Sequence, residues 1–126
     1  MGRRFGRALL LAQMIPEQEL IEAVFDHICE HHAEQVAELK DDEILRRAQV
    51  AVARARRYGF QEEGSYAAFA ALMFLVAPNF DDQPAIQSWL ANSRLKPDER
   101  MKQLMRNTRE EDWEAAGAAS DPRAWE

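Results

Sequence analysis

The sequence predicts an all-α fold, a single compact helical bundle of about five helices. Three observations carry that prediction. Apolar residues recur at three- and four-residue spacing almost throughout, which puts them on one face of a 3.6-residue helix. No stretch alternates apolar and polar residues as a half-buried strand does. Prolines and acidic residues stand where the periodic runs begin, as they do at helix starts. With 126 residues, 47% of them hydrophobic, the chain has material for one core and one domain.

The first helix is expected to open at Pro16, with Glu17 and Glu19 complementing the helix dipole in its first turn. Ile21, Val24, Phe25, Ile28, His32, Val36 and Leu39 then share one buried face, so the helix is expected to continue to Leu39. Asp41 and Asp42 stop it and cap the next. The second helix presents Ile44, Leu45, Ala48, Ala51, Val52, Ala55 and Tyr58 on one side. Arg54, Arg56 and Arg57 crowd its last turn, and Gly59 can supply the left-handed residue that ends it. "SYAAFAALMFLVA", residues 65–77, is apolar around most of its circumference, which predicts the central helix of the bundle.

Pro78, Asn79, Asp81, Asp82 and Pro84 make the following loop, in which Phe80-Asp81-Asp82 reads as a hydrophobic plug with a capping carboxylate. A short helix carries Ile86, Trp89 and Leu90. Pro97, Asp98 and Glu99 open a last helix, with Met101, Leu104 and Met105 on its inner side. The expected organisation is a flexible basic leader over 1–14, a bundle domain over 15–116 and a flexible tail over 117–126, where Trp125 has no evident partner.

Charge and composition narrow the function classes. The net charge of −6 argues against a nucleic-acid binder, since phosphate affinity depends on accumulated Lys and Arg. No run approaches the roughly 18 apolar residues of a membrane span. Cys29 is the single cysteine, which excludes an intramolecular disulfide and suits a reducing, cytoplasmic setting. "MGRRFGRALLLAQMI" has the arginines of an export signal, but its apolar patch from Ala8 to Ala12 is short and Gln13 interrupts it.

All three histidines lie in one run, "DHICEHH", where His27, Glu30 and His31 match the H-x-x-E-H spacing of zinc peptidases. On a helical wheel His27 and His31 are one turn apart and could share a metal, while His32 falls at the core edge. A catalytic zinc needs three protein ligands, and no second histidine-bearing segment exists to complete the set. The spacing is therefore read as accidental, with no catalytic residue, metal or cofactor expected. There is also no Gly-rich phosphate loop and no nucleophile elbow.

A stronger signal runs beside the histidines. Glu22, Asp26, Glu30, Glu34 and Glu38 repeat every four residues, and no Lys or Arg occurs between positions 17 and 39. Like charges at this spacing destabilise a helix by about 0.2–0.5 kcal/mol per pair. Three explanations offer themselves: a solvated face, neutralisation by Arg46, Arg47, Arg54, Arg56 and Arg57 of the second helix, or a docking surface for a basic partner.

Residues 53–90 add a resemblance. An Ala/Arg-rich helix with Arg54 ends in Tyr58-Gly59, a helix with Phe69 and Leu72-Met73-Phe74 follows, and Phe80-Asp81, Pro84 and Trp89 come after it. This pattern is similar to that of small helical accessory proteins encoded beside type VI secretion effectors. Ala77 stands where the pattern has a glycine, Gly64 and Ser65 where it has charged residues, and the first helix lacks its closing Phe-Pro. The resemblance implies a cytoplasmic co-chaperone that helps an effector-specific chaperone load a toxin onto the secretion spike.

The expectation is thus a non-enzymatic adaptor that binds the chaperone, the effector or both. Its contact surface would be the acidic row Glu22, Asp26, Glu30, Glu34 and Glu38, and secondarily Phe80, Asp81, Asp82 and Trp89. An immunity protein that blocks a toxin is the alternative, and a metal-binding protein acting through His27 and His31 is another.

Overall fold

The computed structural model describes residues 15–126, and every regular element in them is helical. The expectation for residues 1–14 lies outside the described residues. The described residues form six α-helices: α1 (Glu17–His31), α2 (Asp41–Arg57), α3 (Glu63–Leu75), α4 (Pro84–Leu90), α5 (Pro97–Asn107) and α6 (Glu110–Ala118). Short 3-10 turns at Ala33–Val36, Phe80–Asp82 and Pro122–Trp125 lie between and after them. The first three helices pack on one another, α4 pairs with α5, α5 reaches α3, and α6 lies on the Phe80–Asp82 turn. Among the described residues no helix is long and apolar enough to cross a membrane.

The core joins these elements through Leu20, Val24 and Ile28 of α1, Val52 of α2, and Phe69 and Met73 of α3, all fully buried. Phe80, the expected plug, is also fully buried, and its ring lies 4.9 Å from that of Phe69. Burying each such side chain contributes about 1.5–3 kcal/mol. Tyr58 beside them donates a 2.7 Å hydrogen bond to Asp81, whose carboxylate also lies 3.6 Å from Arg54. Burial, then that hydrogen bond, pushes the Tyr58 phenol well above the ordinary tyrosine range. Arg54 additionally donates to the Pro78 carbonyl, so one network ties the end of α2 to the loop after α3.

Helix starts follow local chemistry. Pro84 and Pro97 occupy the first positions of α4 and α5, where the missing N–H is no loss. Gly59, at φ +82°, ends α2 as expected, with its N–H bonded to the Arg56 carbonyl at 3.0 Å. Asp41 and Asp42 sit in the first turn of α2 rather than capping it, since Lys40 holds the cap position.

Two further expectations need correction. The first helix ends at His32, whose backbone (φ −133°, ψ 37°) leaves the helical region, and it does not continue to Leu39. The chain tightens into the Ala33–Val36 turn so that Val36 can still bury its side chain against the core while the backbone reverses toward α2. The tail expected to be flexible is folded onto the bundle. α6 carries it through Ala118, and the Trp125 ring then packs 4.9 Å from Phe74 with the Arg47 guanidinium 5.1 Å above it. Arg46 donates to the Trp125 carbonyl and Arg54 to the Ala124 carbonyl, both at 2.7 Å.

Candidate functional site

The break at His32 divides the acidic row. Glu22, Asp26 and Glu30 remain on α1, Glu34 falls in the 3-10 turn, and Glu38 follows it, all exposed. They do not form a continuous stripe on one helix. The ion pairs of the α2 arginines among the described residues go elsewhere: Arg46 and Arg47 pair with Glu43 on their own helix, Arg54 with Asp81, and Arg56 with Glu17. Among the described residues Glu30 pairs only with His31, at 4.0 Å.

Two of these carboxylates do come together with something else. Asp26 and Glu30 stand on one wall of a recess of about 720 Å³ between α1 and α3. Its floor is the outer face of α3, where Gly64, Ala67, Ala68 and Ala71 carry little or no side chain. Leu75 closes one end and Met105 of α5 rises from the far side; these are the large hydrophobic residues left exposed among the described residues, at 44% and 50%. A second recess of about 600 Å³ shares Gly64, Ala68 and Met105 with the first and is walled by Lys102 and Arg106 of α5. The two recesses meet along Gly64, Ala68 and Met105 as one groove across α3, apolar on its floor, with Glu62 and Glu63 at the start of that helix.

The sequence missed this feature. Residues 65–77 were expected to form the central helix of the bundle, and Met105 to face inward; instead Ala67 and Ala68 on one side of α3 are half-buried, Leu75 is exposed, and Met105 points out. The usable signal was size: Gly64, Ala68 and Ala71 follow one another at four- and three-residue spacing, as small residues do where a second helix comes close.

The secondary contact surface changes as well. Phe80 and Asp81 are buried, the one as core and the other as the acceptor for Tyr58, so neither is available to a partner. Asp82 remains exposed and Trp89 half-buried.

The histidines line the α1 wall of the groove. The rings of His31 and His32 lie 4.9 and 5.4 Å from that of His27. His32 is half-buried at the helix end and not part of the core. Burial, reinforced by the charge His31 and His32 carry when protonated, holds His27 below the ordinary histidine range. Among the described residues no three His, Cys, Asp or Glu side chains converge as a metal-ligand set, so this cluster offers a metal two imidazoles one turn apart. Burial, then the charges of Asp41, Asp26 and Glu30, push the Cys29 thiol up, which makes it a weak nucleophile at neutral pH. No family model, curated protein or solved structure matches the chain.

Proposed function

We propose that this chain is a non-enzymatic, cytoplasmic accessory factor that holds a segment of a partner protein in the groove across α3. The observation that carries this reading is the placement of Leu75 and Met105. Both are long apolar side chains exposed to water, and both stand on the rim of the same alanine-floored recess. Apolar surface gathered in one place and edged by charge is what a protein-binding site needs. The resemblance over residues 53–90 supplies the setting: a co-chaperone or adaptor for loading a type VI secretion effector, with the effector or its chaperone as partner.

Affinity capture after co-expression with the products of the adjacent genes tests this. The tagged protein is expected to retain one of them, and a Leu75→Glu, Met105→Glu variant that still folds is expected to lose it. A monomer that retains neither, or a variant that captures as well as the native chain, contradicts the proposal. If the chain instead protects cells that express the toxin, its role is immunity.

A further inference from the structure

This inference rests on the groove being the protein-binding site and names what fills it. We infer that the occupant is an amphipathic α-helix of the partner with one basic edge and one acidic edge. The floor argues for a helix. A Cβ added to Gly64 would meet nothing within 4 Å, and Gly64 does not adopt a positive φ, so neither packing nor conformation in the free protein requires glycine there. Glycine is a poor helix residue, and on an open face its benefit is to let another backbone approach closely. Helix axes come within about 8 Å only where the contact residues are small, as Gly64, Ala68 and Ala71 are. From Gly64 to Leu75 the open face rises about 16 Å, three turns of a docked helix. Among the described residues there is no strand, hence no sheet edge for an extended segment to join.

The walls argue for the charge order. Asp26 and Glu30 line the α1 side with no Lys or Arg partner among the described residues. Lys102 and Arg106 line the α5 side; Glu62, at the start of α3, lines the same recess 3.9 Å from Lys102, and Arg106 is in no ion pair among the described residues, so its charge is the one left uncompensated there. A helix with Lys or Arg toward α1 and Asp or Glu toward α5 meets opposite charge on both edges. One with a single sign on both edges meets like charge on one of them.

Three hydrocarbon-stapled helical peptides test this, each with Leu at positions i, i+4, i+7 and i+11. One has a Lys edge and a Glu edge, one has two Lys edges, and one has two Glu edges. Fluorescence anisotropy is expected to show the mixed peptide binding about tenfold more tightly than either other. In an Asp26→Lys, Glu30→Lys variant, whose walls are both basic, the preference is expected to move to the two-Glu peptide. Gly64→Leu, which fills open space, is expected to leave the protein folded and abolish binding of the mixed peptide. No binding, no preference among the peptides, the same preference in the charge-reversed variant, or unchanged binding by Gly64→Leu would each overturn the inference. If the peptides fail while capture of the natural partner still depends on Leu75 and Met105, the accessory-factor reading stands and the charge-ordered helix does not.

Discussion

The Asp98 carboxylate, on α5, accepts hydrogen bonds from the backbone N–H groups of Gln61 and Glu62 at 3.2 Å and from the Ser65 hydroxyl at 2.6 Å. Glu62 occupies the cap position of α3 without making a side-chain cap of its own, so the start of that helix is held from another element. Asp98→Ala is expected to destabilise the fold by about 2 kcal/mol, read as a lower urea midpoint with an unchanged slope. A midpoint within error of the native one would contradict the assignment. His27 gives a pH prediction. Its folded-state pKa lies below the unfolded value of about 6.5, so the unfolded chain takes up the proton first. The corresponding stability is present above that value and is lost as pH falls through it. Urea midpoints are expected to decline between about pH 7.5 and 5.5, and His27→Gln is expected to flatten the decline. Equal slopes in the two proteins would show that His27 is not responsible.

At the scale of elements, the closing Pro122–Trp125 turn behaves as part of the core. Trp125 is buried against Phe74 under Arg47, and Asn79 ties the approach to it by accepting from the Asp121 N–H at 2.8 Å and donating to the Ala119 carbonyl at 3.0 Å. Trp125→Ala is expected to cost about 3 kcal/mol, and calorimetry should show melting lowered by several degrees. A melting temperature equal to the native one would mean the contact contributes nothing. These same elements show what the amino-acid order discloses. The starts at Pro84 and Pro97 and the stop at Gly59 were legible because their chemistry is local to a few residues. The end of α1 was not: Ile28, His32, Val36 and Leu39 keep helical spacing through a 3-10 turn, and apolar period does not separate the two. Trp125 was illegible because its partners are distant in sequence. In the candidate site, Asp26 and Glu30 were found from their missing counter-charges. The groove they border escaped notice because an apolar helix looks the same in sequence whether its last face meets core or open space.

For the molecule as a whole, α1, α5 and the open side of α3 combine a smooth apolar floor with walls of opposite charge. Gly64 separates what serves the fold from what serves the groove. Gly64→Ala should leave folding intact and raise stability by up to about 1 kcal/mol, because alanine is the better helix residue and its Cβ meets no neighbour. A loss of stability in thermal melts would mean the fold itself needs that glycine. The most direct measurement is amide hydrogen exchange on the purified complex with the natural partner, compared with the free chain. Protection is expected to rise along 23–32, 63–75 and 101–106, the three stretches that frame the groove. Protection that leaves these unchanged and rises instead over α6 and the Pro122–Trp125 turn would place the partner on another face and contradict the groove as the binding site.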